Sequence, residues 1–127
     1  MPKPIDEDVA RLLGGVIENH ARFEVLRLLH RERRRSFTAR DVALKLGVNP
    51  ASVEQDLALL CGRGLLSVTI ANDLRYSYRP GNETLDAEIE RLMRLWAERR
   101  DDVEALLKGT DPVRAFAAAF RIRRNDG

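Results

Sequence analysis

The segment SFTARDVALKLGVNPASVEQDLALLCGRGLLSVTIANDLRYSYRP, residues 36–80, carries the local signals on which the fold of this chain turns. Thr38 followed three residues later by Asp41 predicts a capping box, with aspartate where glutamate is usual. The helix it opens, Ala39 to Leu46, turns Val42, Ala43 and Leu46 inward and stops at Gly47. Asn49 then caps a second helix, with Pro50 at its first position, where a missing amide hydrogen costs nothing. Val53, Leu57 and Leu60 fall at i, i+4 and i+7 as an inward stripe, and Gly62 and Gly64 end it. The intervening Gly47-Val48-Asn49 is a tight turn whose glycine can take the left-handed conformation of a sharp reversal. Beyond Gly64 the period changes from that of a helix to that of a strand. Leu66, Val68 and Ile70 alternate with Ser67 and Thr69; after Ala71-Asn72-Asp73 the return strand runs from Arg75 to Arg79, and Pro80-Gly81 closes it. The segment therefore reads as two short helices joined by a tight turn, followed by a two-stranded hairpin.

Upstream, residues 5–17 form a short amphipathic helix that Asp6 can cap, with Val9, Leu12, Leu13, Val16 and Ile17 on one face. Gly14-Gly15 weakens its end, because a helical glycine costs about 1 kcal/mol against alanine. A second helix starts near the N-cap Asn19; Phe23, Val25, Leu26, Leu28 and Leu29 make it broadly apolar, as befits the central helix of a small core. It ends in the arginines Arg31 to Arg35, which suit the negative end of the helix dipole. Downstream, one long helix is expected over 83–107. Its positions Leu85, Ile89, Leu92, Trp96, Val103 and Leu106 keep a 4,3 spacing broken once at Arg99, about three heptads of a coiled-coil-like seam. Such a seam is more than one small domain is expected to cover, and as a free surface it would be too large an apolar patch for a monomer. Gly109 ends that helix, and a last one over 112–122, capped by Thr110 or Asp111, carries Val113, Phe116, Ala117 and Phe120.

A chain of 127 residues with 44% hydrophobic and 33% charged residues has the composition of one soluble globular domain. We divide it into 1–82, the amino-terminal helix and the helix-turn-helix with its hairpin, and 83–127, a helical region. No apolar run approaches the ~20 residues of a membrane span, and MPKPIDED does not read as a signal peptide. The single cysteine, Cys61, excludes an intrachain disulfide, so a reducing cytoplasm is expected. The net charge is only +2, but it is unevenly spread. Seven arginines face two glutamates between Arg22 and Arg40, whereas eight acids face five bases between Glu83 and Lys108. Separate surfaces for separate partners would produce such a pattern, and so would solvated helix faces.

Over residues 19–80 the chain resembles winged helix-turn-helix transcription regulators. The phrase VNPASVEQDLALLCGRGLL is similar to the recognition-helix signature of the ArsR and MarR superfamily, and NDLRYSYRP to the arginine-tipped, tyrosine-containing return strand of ArsR-type wings. Asp73-x-Arg75 also resembles the wing of MarR-type proteins, as does the plan of one helix before the module and two after it. The resemblance implies a mainly α fold, a three-helix core plus a β-hairpin wing, with flanking amino- and carboxyl-terminal dimerisation helices. It implies a DNA-binding regulator acting as a homodimer on a palindromic operator. The dimer interface is then expected at Leu85, Ile89, Leu92, Trp96, Val103, Leu106, Phe116 and Phe120.

Helical geometry leaves Ala51, Ser52, Glu54, Gln55 and Ala58 on the outer face of the second helix of the motif. Gln55 suits a bidentate contact to adenine, Glu54 an amine of cytosine, and Ser52 a base or phosphate. Arg75 is placed for the minor groove, and Arg40, Lys45, Arg63 and Arg79 for phosphates. Glu54 and Asp56 on the same helix, with no base until Arg63, predict weak nonspecific affinity for this face alone. The alternative is a winged-helix module that binds a protein of transcription without reading DNA sequence.

Other chemistry finds little support. His20 and His30 are ten residues apart without ligands at metal spacing and are expected at a helix start and a helix end. Cys61 reads as a packing residue, and Met93 and Trp96, like Phe116 and Phe120, as core or interface. There is no nucleophile–base pair, glycine-rich phosphate loop or paired-carboxylate signature, so neither an enzyme nor a cofactor is expected.

Overall fold

The computed structural model describes residues 7–108. Its first helix, α1 (Glu7–Leu12), widens into a π-helical turn over Leu13–Ile17, and the widening falls on Gly14-Gly15. The turn closes at Glu18, whose φ of 74° is uncommon for a residue with a side chain, and the Glu18 amide donates to the Leu13 carbonyl at 2.7 Å. Asn19 then caps α2 (His20–Arg31), its side chain accepting from the Arg22 amide at 2.8 Å.

The helix-turn-helix and hairpin match the sequence reading closely. α3 (Ala39–Leu46) and α4 (Pro50–Gly62) are followed by β1 (Leu66–Ile70) and β2 (Leu74–Tyr78). The strands pair antiparallel in the register Leu66↔Tyr78, Val68↔Tyr76 and Ile70↔Leu74, so these six residues share one face. Phe37 adds a rung that the sequence reading did not anticipate: its amide donates to the Tyr76 carbonyl at 2.8 Å, and the Tyr76 amide returns the bond at 2.7 Å. This ties the hairpin to the residue immediately before the α3 cap. The fold is a winged helix-turn-helix.

Beyond the hairpin the expected long helix is two. α5 (Glu83–Glu98) ends at Arg99, where the backbone leaves the helical region at φ −138° and ψ 56°, and α6 (Arg100–Lys108) begins. The Arg99 guanidinium binds Asp102 at 2.6 Å and so helps set the entry of α6. The break changes the register of the stripe: after Val103 the next buried residue is Leu107, and Leu106 is only half-buried.

The covered seam is the larger correction. Ile89, Leu92, Trp96 and Val103 are buried in the same core as Val9, Leu13, Ile17, Phe23 and Leu26. α5 packs on α1, and α6 on the π-helical turn and α2. The stripe is therefore not a free surface awaiting a second copy; Leu85 sits half-buried at its margin. Phe116, Phe120, the helix expected over 112–122 and the cap Asp6 lie outside the described residues. Among the described residues, no helix is long and apolar enough to cross a membrane.

Candidate nucleic-acid interface

The motif is held by its predicted caps. Asp41 donates its amide to Thr38 Oγ1 and accepts the Thr38 amide on Oδ2, both at 3.1 Å. The Thr38 amide first, and the Thr38 side chain second, hold the Asp41 carboxyl below its usual range, and the fields of Arg75 and Arg35 add to the effect. Wing and α2–α3 loop thus converge on the start of α3. At its other end Gly47 adopts φ 69° and returns its amide to the Ala43 carbonyl, which reverses the chain into Asn49 and Pro50.

α4 divides sharply into two faces. Val53, Leu57 and Leu60 are buried, and Asp56 joins them, which corrects its placing among the acids that weaken the outer face. Asp56 Oδ1 accepts from Arg22 Nε at 2.9 Å, and the same guanidinium reaches Glu18 at 3.1 Å and the Ile17 carbonyl at 3.3 Å. This cross-element pair has no signature in the spacing of residues 22 and 56, so sequence reading had no means of finding it. What remains outside is Ala51, Ser52, Glu54, Gln55 and Ala58, all exposed, with Glu54 the only acid among them.

The wing stands beside that face. A groove of about 500 Å³ separates them, lined by Arg40 and Ala39 of α3, Glu54 and Ala58 of α4, and Leu74 and Tyr76 of β2. Burial pushes the Tyr76 hydroxyl pKa up, with the Cys61 and Glu54 fields adding. Arg75 is exposed at the wing tip, its guanidinium 3.2 Å from Asp73. Arg40, Glu54 and the wing tip therefore share one side of the molecule.

The remaining bases are dispersed. Lys45 is drawn to Glu32 at 3.7 Å and lies over the Phe37 ring, which Arg35 covers as well. Arg63 binds the Glu18 carboxylate and the Val16 carbonyl, and so closes the π-helical turn rather than facing outward with Gln55. Arg79 lies at the root of the wing, beside Asn82 and Asp86. Arg35, which sequence reading left unassigned, is the base that the fold adds near α3; the arginine run around it was the available signal.

The two histidines are accounted for by packing. His20 sits in the first turn of α2, 3.7 Å from Glu24. His30 meets Glu90 at 2.8 Å and packs edge-on against Tyr78, while Arg33 reaches the same carboxylate at 2.6 Å. Burial raises the Glu90 pKa, but bonding to His30 and Arg33 outweighs it and holds the carboxyl below its usual range. Tyr78 donates its hydroxyl to Asp86 at 2.8 Å; burial, then that bond, push its pKa up. Burial also raises the half-buried Cys61 thiol, which makes it a poor nucleophile.

No protein-family model and no curated protein matches the chain. Solved structures do. Reduced HlyU from Vibrio cholerae superposes with a TM-score of 0.53 at 24% identity, over 69% of this chain and 88% of that one. A homodimeric winged helix-turn-helix DNA-binding domain from Mycobacterium bovis, a possible ArsR-family transcriptional regulator, gives 0.51 at 22% identity, over 77% and 91%. BpsR of Bordetella bronchiseptica, whose DNA binding is regulated by 6-hydroxynicotinic acid, gives 0.53 at 17% identity, over 91% and 82%. At these identities the likeness is one of fold.

Proposed function

We propose that this winged helix-turn-helix is a DNA-binding transcriptional regulator. The observation that carries the reading is the outer face of α4: with Asp56 turned onto Arg22, it offers Ser52 and Gln55 unobstructed beside a wing bearing Arg75. In this reading α4 enters the major groove, Gln55 meets a base edge, and Arg40 and Arg75 hold the backbone on either side. Lys45, Arg35 and Arg79 supply flanking phosphate contacts, while Arg63 serves the fold. The similarity of fold to DNA-binding regulators supports the proposal.

The protein acts, on this reading, as a homodimer on a palindromic operator, as two-fold symmetry requires. The M. bovis domain of the same fold is homodimeric, which supports the proposal. The buried stripe of α5 and α6 is spent on the core, so pairing uses its half-buried margin, Leu85, Leu95 and Leu106. Sedimentation equilibrium showing a monomer at tens of micromolar would overturn this part.

A second reading has its own observation. Ile70 and Leu74 are exposed at the wing tip and Leu44 on α3, an apolar display suited to a protein partner. One experiment separates the two. Bound fragments are selected from a genomic DNA library, and their affinity is followed by fluorescence anisotropy as salt rises from about 50 to about 200 mM. A steep fall supports phosphate contacts, whereas failure to enrich any fragment leaves the protein-binding reading.

A further inference from the structure

A cleft of about 400 Å³ opens between the first half of α2 and the elbow of the helix-turn-helix. Val25, Leu46, Val48 and Val53 supply apolar walls, and its size falls in the range of small-molecule sites, roughly 300–1,000 Å³. Two carboxylates, Glu24 and Asp56, also line it, and no Lys or Arg is among the described lining residues.

These carboxylates are short of donors. Asp56 is only 9% exposed; its Oδ1 accepts from Arg22, while Oδ2 has no hydrogen bond to a described residue and is open to solvent. An ionised carboxylate offers about four acceptor sites, so a solvent-reached oxygen can still accept from a ligand. Glu24 is held loosely: His20 lies 3.7 Å away and Arg27 3.5 Å, both longer than an ordinary hydrogen bond. A cation entering the cleft meets carboxylate acceptors from two helices, one paired with Arg22 and the other loosely with Arg27 and His20.

We propose that this cleft binds a small organic amine, its apolar body against Val25, Leu46, Val48 and Val53 and its ammonium donating to Asp56 Oδ2 and Glu24. Ser52 stands on the lip of the cleft and also on the outer face of α4. Asp56 is the residue through which α4 is bonded to Arg22 of α2. An amine that draws on Asp56 therefore alters how α4 is held, and on the reading of α4 as the DNA-contacting helix it modulates DNA binding. Only this last consequence rests on that reading; occupancy of the cleft does not.

The test is an NMR titration of the isotope-labelled full chain, without DNA, using phenethylamine, 2-phenylethanol and phenylacetate. The amine is expected to give saturable shifts at the amides of Val25, Val48 and Ser52, the alcohol weaker ones, and the acid none. Glu24→Gln and Asp56→Asn should each weaken the amine by about tenfold or more, as loss of a charged hydrogen-bond partner does. Ala21→Phe, at an exposed position lining the cleft, should abolish binding in a folded protein. Should Asp56→Asn fail to fold, the other two variants decide. No saturable shift at these amides, equal binding of acid or alcohol and amine, or unchanged binding by Ala21→Phe would each overturn the proposal. Amine binding with no effect on DNA affinity would leave the site standing and count against the role of α4.

Discussion

The chain writes two long apolar stripes, one along α5 and α6 and one along the hairpin, and the fold treats them in opposite ways. In the helices Ile89, Leu92 and Val103 are each 0% exposed. On the hairpin exposure climbs toward the tip, from Leu66 at 4% to Val68 at 40% and Ile70 at 76%. Both stripes show the periodicity of a buried face. Periodicity identifies residues that share a face, but cover depends on what other elements reach. α1, the π-helical turn and α2 surround α5 and α6, whereas the hairpin outruns α3 and α4 after two rungs.

The strongest way to break this contrast is at its covered end. Leu92→Ala should cost about 2–5 kcal/mol of stability, read from urea unfolding, because the side chain has no exposed surface and its loss leaves a cavity in the core. A loss under about 0.5 kcal/mol, the range of surface positions, would mean that α5 is not packed on the core and would revive the free seam.

Next in size are the residues that neither stripe uses. Gln55→Ala should cost about 1–3 kcal/mol at one base pair of a selected site, with preference relaxed there alone. Arg75→Ala should weaken all DNA sequences more evenly and reduce the salt slope by about one. Anisotropy on selected and scrambled DNA separates these outcomes. Equal binding by both variants and the wild type would remove α4 and the wing from the interface.

Much of this was legible beforehand because the signals were local. The Thr38–Asp41 box, the Asn49-Pro50 start and the alternation from Leu66 to Ile70 are each decided by neighbours in sequence, and α3, α4 and β1 fall where those signals place them. The errors arose at long range. Nothing near Leu92 announces that α5 will pack on α1. Nothing near Asp56 announces Arg22, so the acid was placed outside. The break at Arg99 had a visible signal, an arginine in the seam, yet the sequence did not say whether the helix would expose it or stop there. Ser52, Glu54, Gln55 and Arg75 do lie where helical and strand geometry put them, whereas Arg63 was claimed by a partner 45 residues away.

A smaller effect sharpens the link between helix-turn-helix and wing root. Thr38→Ala removes the cap on which α3 starts and should cost about 1 kcal/mol. It also has a pH signature. The folded pKa of Asp41 is depressed, so its contribution is present above the ordinary aspartate pKa and is lost as the pH falls through the lower folded value. Thr38→Ala keeps the Thr38 amide, the largest cause, and loses only the side-chain bond, so across that acid window the wild type should lose stability slightly more steeply than the variant, in chemical denaturation at a series of pH values. Parallel acid limbs would show that the Thr38 side chain adds nothing to the hold that the Thr38 amide keeps on the Asp41 carboxyl.

The smallest expected change lies at the uncovered end of the contrast. Ile70 and Leu74 form the last cross-strand pair before the turn, 76% and 47% exposed, so folding covers little of Ile70 and about half of Leu74. The double substitution of Ile70→Ser and Leu74→Ser should therefore cost no more than about 1 kcal/mol, the scale of one cross-strand pair. Its value is functional. A groove-reading wing depends on Arg75 and loses little DNA affinity when these side chains become polar. A protein-binding wing depends on the apolar tip and loses its partner while its salt dependence stays flat. A stability loss above about 2 kcal/mol would show that the tip is covered after all, which requires a second chain or a different seat for the hairpin, and the contrast between the two stripes would disappear.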